Sequence, residues 1–412
     1  MSTEFELIIR QAQLRGQTGQ HQDIGIQAGC IAAIQPHIDG KSQVELDAAG
    51  GLVSESYANP HLHLCKVYTL EMMDEEALRD YHAADMGKAM NAIEMAARVK
   101  EKYDESWIIK NVRRAMVDAA RYGCTHIRAF ADVDSKARLE GIKALIRARE
   151  EFKGIVELQV VAFAQDGMLR EPGAKDLMHQ AMALGADVAG GIPWIEYTDA
   201  DVQEHVKQIF DLAVEFNKDV SMLVDDAGDA GLRSLELMAL ETLKRGWQGR
   251  SLAHHARAMA LYATPYFQKV AFLLRKAQMG VVTDPHTGPL HARVRELLAE
   301  GNLVCLGQDD ISDAYYPFGR NNMPEVAFLA SHMLWFTGAA DIEVLYDMIT
   351  RRSAQAMGLK NFELKVGAEA NLVVQEQKNV VEVLRYHDAP RYVVSHGRLI
   401  DQAKVRAIAN QA

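Results

Sequence analysis

The chain has 412 residues, 49% of them apolar and 25% charged, enough for one large α/β domain with an accessory piece or for two ordinary domains. That composition excludes an intrinsically disordered or fibrous protein. A net charge of −11, from 45 basic and 56 acidic side chains spread along the chain, argues against nucleic acid and anionic membrane surfaces as partners and leaves small uncharged or cationic molecules.

The N-terminus, MSTEFELIIRQAQ, carries acids where a secretory leader would carry a basic segment. No apolar run approaches the roughly 18 residues of a membrane span, so a cytoplasmic location without membrane partners is expected. From residue 5 to about 53, short alternating segments (FELIIRQAQL, DIGIQAGCIAAI, VELDAAGGLV) read as antiparallel strands. The same texture returns in ANLVVQ, RYVVSHGRLI and KVRAIA. The two ends, residues 1–55 and 362–412, are therefore expected to pair into one small β-sandwich.

Between them, residues 56–361 alternate short apolar strands with amphipathic helices, the pattern of βαβ units and a parallel sheet. Eight strands are expected, at 57–63, 125–133, 156–164, 187–192, 219–225, 250–255, 280–284 and 303–309. Helices such as 106–122, 134–152 and 201–217 fall between them, with apolar positions at three and four spacing. Eight such alternations predict a closed (β/α)8 TIM barrel. Met72, Met73, Met86 and Met90 lie in a loop-helix region near the barrel mouth and are read as structural. The four cysteines (Cys30, Cys65, Cys124, Cys305) are far apart and show no CxxC spacing, so free thiols are expected.

Three clusters carry chemistry. In NPHLHLCK, at the end of the first barrel strand, His61 and His63 are two residues apart; strand alternation sends both imidazoles to one side, where they can share a metal ion. In RSLAHHARAMALY, His254 and His255 end the sixth strand, and an inward imidazole there can steady an attacking hydroxide or its adduct; His255 is the favoured one. In LVCLGQDDISDAYYPFG, a late strand ends in Asp309 and Asp310, and a carboxylate at that place can both ligate a metal and accept a proton. The bland alternatives are surface histidines at a strand exit, a hydrogen-bonded structural histidine, and an N-cap or solvated turn. His286 and His291, in the loop TDPHTGPLH, receive no role.

These stretches, in this order, resemble the amidohydrolase superfamily, in its cytosine deaminase and N-isopropylammelide aminohydrolase branch. The resemblance runs over nearly the whole chain, through PHLHL, VVAFAQDG, LGADVAGGIPWIEYT, HHARAM, GQDDISDAYYPFGRNNM and ITRRSAQAMGL. It implies one divalent metal ion, zinc or iron, that activates water for attack on an amidine-like ring carbon. His61, His63 and Asp309 match metal-binding positions, Asp309 doubling as base. His255 matches the strand-six histidine, Asp226 the acid that passes a proton to the leaving nitrogen. Gln165, Asp310 and Tyr315 match positions that hold the substrate ring.

The pattern breaks at strand five, where the family reads His-x-x-Glu or His-x-His-Asp and this chain reads LVDDAG. Leu223 stands where the third imidazole ligand is expected, so the metal is expected to be weakly held unless Asp225, two residues on, replaces it. Phe130 likewise stands where the RxHVD element has histidine, and Cys65 where an acid commonly follows HxH. Three readings follow: a metal-dependent hydrolase of a C–N bond on a small nitrogen heterocycle, a hydrolase of a cyclic amide or urea-type bond, or a binding protein that has lost its metal. A small heterocycle is the expected partner, and a homo-oligomer is compatible with each reading.

Overall fold

All nine residues of the segment CTHIRAFAD are buried, and so are all six of YANPHL; strands covered on both faces are what a parallel sheet wrapped in helices requires. In the computed structural model, which describes residues 4–17, 19–72 and 98–410, these two belong to an eight-stranded parallel sheet. Five strands precede it: β1 (Glu4–Leu14), β2 (His21–Gln27), β3 (Cys30–Gln35), β4 (Lys41–Asp47) and β5 (Leu52–Glu55). The parallel sheet comprises β6 (Tyr57–Leu62), β7 (Cys124–Asp132), β8 (Glu157–Ala164), β9 (Val188–Gly191), β10 (Asp219–Val224), β11 (Ser251–His255), β12 (Gly280–Thr283) and β13 (Val304–Leu306). Helices α1 (Glu105–Tyr122), α2 (Glu140–Glu151), α3 (Ala174–Leu184), α4 (Asp199–Glu215), α5 (Ser234–Arg245), α6 (Thr264–Lys276) and α7 (Val294–Ala299) carry the chain between successive strands.

The metal-motif residues themselves close the barrel. His63 N donates to Asp309 O at 2.8 Å and Asp309 N to His61 O at 3.0 Å, stitching the end of β6 to the segment after β13. Gly307 permits this approach, because a Cβ there would stand 2.7 Å from His61 Cβ. Strand β13 ends at Leu306, earlier than the alternation predicts, where Gln308 N turns to the Asn59 side chain at 3.1 Å. The second helix starts at Glu140 rather than 134: the Asp134 carboxylate accepts from Lys136 N and Ala137 N, holding those residues in a loop.

The two chain ends meet in a separate mixed sheet. β1 pairs antiparallel with β2 and parallel with β4 and β5, and β5 pairs antiparallel with β14 (Leu372–Val374), which is followed by β15 (Tyr392–Ser395) and β16 (Arg398–Leu399). Leu7, Ile9, Ile24, Val53, Leu372 and Val394 form its apolar core. Val373, the alternate residue of β14, joins the large core of the barrel instead. Met72 ends a short 3-10 turn, Thr69–Met72, whereas Met73, Met86 and Met90 lie outside the described residues. Among the described residues no helix is long and apolar enough to cross a membrane.

Candidate active site

Strand alternation brings His61 and His63 to the same side of β6, both buried, with ring centroids 5.0 Å apart. Across the closing seam stands Asp309, in the left-handed region at φ 68°. His255 reaches the same place by a second left-handed turn, φ 67° followed by Ala256 at 49°. As a result three imidazoles surround one carboxylate oxygen: Asp309 Oδ1 lies 2.9 Å from His61 Nε2, 3.8 Å from His63 Nε2 and 3.9 Å from His255 Nε2. His254, the register partner of Leu223, also faces inward, its ring 4.5 Å from that of His61 and 5.0 Å from Phe130. Neither of its ring nitrogens has a hydrogen-bond partner among the described residues.

A chain of ion pairs orients His255. Its Nδ1 donates to Asp284 Oδ1 at 2.8 Å, and the buried Arg257 donates to Asp284 Oδ2 at 3.0 Å, Thr287 Oγ1 at 2.8 Å and Asp226 Oδ1 at 2.5 Å. Burial disfavours a charge on His255, but Asp226, Asp284 and Asp309 outweigh it and push its pKa up to about 9. Burial and the neighbouring Asp284 and Asp310 carboxylates hold Asp309 well above the usual range. For His61 and His63 burial dominates and keeps both imidazoles neutral, the form in which a ring nitrogen can bind a metal.

The donor set suits a divalent ion. His61, His255 and Asp309 present ligand atoms all within 4.8 Å of one another, and so do His63, Asp309 and Asp310. Imidazole nitrogen with carboxylate oxygen is a zinc- or iron-type set. The Nδ1 atoms of both HxH histidines are buried without partners among the described residues, and Asp284 and Asp309 crowd each other in a way that a cation would relieve.

Leu223 packs into an apolar group with Phe130, Val161, Phe163, Val188 and Ile192, so strand five contributes no ligand. Asp225 does not replace one. Its carboxylate accepts from Ser234 N and Oγ, Leu235 N and the Tyr262 hydroxyl, at the start of α5 and away from the imidazoles. A left-handed φ of 48° at Asp225 breaks the alternation on which that substitution depended.

Beyond the HxH motif, Gln165 Oε1 accepts from Lys66 Nζ at 3.1 Å, and that ammonium lies 4.4 Å from the centre of the Tyr315 ring. Asp310 and Asp313 neighbour each other, and burial raises both carboxyls, Asp313 to about 6. The structure thus gathers His61, His63, His255, Asp226, Asp309 and Asp310 around one end of the barrel, with Gln165 and Tyr315 joined through Lys66. Sequence reasoning missed Arg257, Asp284, Lys66 and Asp313. Arg257 and Lys66 carried a usable signal, each a cation two or three residues beyond a histidine motif at a strand end.

A model of the amidohydrolase family matches residues 108–401. The N-isopropylammelide isopropyl amidohydrolase of Pseudomonas sp. strain ADP is 29% identical over 411 residues, covering 98% of this chain and 99% of that protein. The crystal structure of 5-methylcytosine deaminase from Klebsiella pneumoniae liganded with 5-fluorocytosine has a TM-score of 0.87 at 27% identity, covering 96% of this chain and 97% of that one. N-isopropylammelide isopropylaminohydrolase from Burkholderia multivorans gives a TM-score of 0.79 at 25% identity, covering 96% and 97%.

Proposed function

The chain belongs to the amidohydrolase family, and on that premise we propose that it is a metal-dependent hydrolase that deaminates a pyrimidine- or triazine-like ring or removes its alkylamine. One observation carries the reading: imidazoles from two distant strands ring a single oxygen of Asp309 within 3.9 Å. Buried groups of that kind have little reason to converge except around a cation. The N-isopropylammelide and 5-methylcytosine activities of the relatives supply the substrate class.

His61, His63 and Asp309 would hold the ion, zinc or iron, which when bound supplies Lewis acidity and lowers the pKa of a water. Asp309 accepts the proton of the attacking water, and Asp226, pinned through Oδ1 by Arg257, passes a proton to the leaving nitrogen through Oδ2. His255, fixed by Asp284, directs its Nε2 toward charge developing on the ring. Gln165, Asp310 and Tyr315 hold the ring itself. With Leu223 in the strand-five place, the ion is held by fewer imidazoles than a family site with a histidine there, and so more weakly.

Metal analysis and a product assay test this. Protein purified without chelator and supplemented with zinc or iron should bind the ion, lose it to chelator, and release ammonia or alkylamine from a panel of amino- and alkylamino-pyrimidines and triazines. Release of a ring-opened product instead would move the reaction to a cyclic amide bond. Absence of both metal and turnover would refute the enzyme reading.

A further inference from the structure

A proline interrupts the strand that carries the HxH motif. Pro60 has no N–H, and β6 bulges there: residues 59 to 62 span what β7 covers between residues 127 and 129, so Pro60 and His61 have no register partner on β7. Across the seam, Gly307 N donates to Thr283 O, the last carbonyl of β12, at 3.2 Å, and Gln308 lies beyond the end of β13. One side chain meets the amides of both irregular stretches. Asn59 Oδ1 accepts from His61 N at 3.2 Å and from Gln308 N at 3.1 Å, and so grips a metal-motif residue on one side and the neighbour of Asp309 on the other.

That side-chain amide is held in one orientation from both ends. Two N–H groups converge on it, so the atom facing them must be Oδ1, and Nδ2 points away. Nδ2 donates to Asn321 Oδ1 at 3.2 Å, and Asn321 Nδ2 donates at 3.1 Å to Ala115 O of α1, a carbonyl that can only accept. Both asparagines are fully buried. Asn321 stands at φ 56°, in the left-handed region that asparagine enters more readily than most residues with a side chain. The relay ties α1 to the barrel seam through the segment that follows Asp309 and Asp310.

We propose that Asn59, oriented by Asn321, is a positioning residue that sets the spacing of His61 and Asp309 across the seam and so presets the centre for its ion. The inference rests on the reading of this centre as a metal site. A metal site requires its ligand atoms within about 0.2 Å of ideal bond lengths. His61 Nε2 and Asp309 Oδ1 stand 2.9 Å apart although their residues are 248 positions apart in the chain, so the seam alone sets that distance. Without the bonds to His61 N and Gln308 N, the two main-chain bonds between His63 or His61 and Asp309 would be left to hold ligands from opposite ends of the barrel. Asn59 offers the ion no atom of its own: its oxygen is taken by two amides, and it acts through the backbone of the residues it grips.

Zinc titration of the full chain against a chelating indicator tests it. Asn59→Ala should weaken zinc binding by at least about tenfold. Asn321→Leu, which frees the Asn59 amide to turn, should weaken it by a smaller factor, and it serves should Asn59→Ala fail to fold. In the Asn59→Ala background Asn321→Leu should add nothing, because Asn321 acts on the ion only through Asn59. Urea unfolding separates positioning from stability alone: a structural role lowers the midpoints of metal-free and zinc-loaded protein in parallel, whereas lost positioning shrinks the increment that zinc adds in the wild type. Unchanged zinc affinity in a folded variant, parallel midpoints, or full additivity of the two substitutions would each overturn the proposal. A wild type that binds no zinc would sink the metal-dependent reading and this inference with it, while zinc bound equally by wild type and variants would sink this inference alone.

Discussion

Replacing Arg257 with methionine removes a guanidinium that is 6% exposed and that serves Asp226 at 2.5 Å, Asp284 at 3.0 Å and Thr287 at 2.8 Å. Methionine approximates the stem, so the change is chiefly one of charge and hydrogen bonding. Removing one partner of a buried ion pair costs about 3–5 kcal/mol, because the other charge is stranded. Here the lower end applies. The Asp226 side chain is 18% exposed and water reaches it, while Asp284 keeps His255 at 2.8 Å. We expect a loss of about 3 kcal/mol in the metal-free protein at pH 7, read as a lower guanidinium chloride midpoint at unchanged slope. Arg257→Lys should recover only part of it, since one ammonium cannot reproduce a planar fork shared among three acceptors. A loss below about 1 kcal/mol, the size of an exposed ion pair, would refute the view that this guanidinium holds the carboxylates together.

Asp309→Asn should lower kcat/KM by about 10²–10⁴-fold or more, since it removes both a proton acceptor and a ligand; preserved turnover would overturn the assignment. Leu223→His should slow metal loss to chelator by restoring an imidazole on strand five, and an unchanged rate would mean that another side chain already fills that role. Gly307→Ala should weaken metal binding and cost about 1–3 kcal/mol, because its Cβ would press His61 Cβ at 2.7 Å and Val282 at 3.0 Å, neither a flexible chain end; wild-type stability would show that the closure relaxes freely. Burial, helped by His396 and opposed by Glu157, lowers the pKa of His126 from 6.5 to about 4. The unfolded chain thus takes up this proton first, so the stability His126 contributes is whole above pH 6.5 and is lost as pH falls through about 4. The gap is worth about 3 kcal/mol, and unfolding free energies of wild type and His126→Asn between pH 7.5 and 4.5 should diverge accordingly. Parallel curves would contradict it.

The expected strands at 57–63, 125–133 and 156–164 match β6, β7 and β8 within a residue or two, and in β8 burial on both faces writes itself into the consecutive apolar residues VVAFA. The shared direction of His61 and His63 was legible for a related reason: alternation is a local property of extended backbone. Neighbours on the same strand need no knowledge of the rest of the chain.

Alternation ended where the backbone turned left-handed. Asp225 had the right parity to face the metal, yet its carboxylate binds the start of α5, while His255 came inward beside His254 although the two are adjacent. Sequence by itself determined the eight βα units, the HxH pair and the late carboxylates, since each depends on residues within a few positions of one another. The register between strands decided the rest: that Arg257 meets Asp226 and Asp284, that Lys66 meets Gln165, and that Asp309 closes the barrel against His61. Those partners lie 27 to 248 residues apart, and a Coulombic or hydrogen-bonded pair over such separations exists only once the sheet has set the distance between its members.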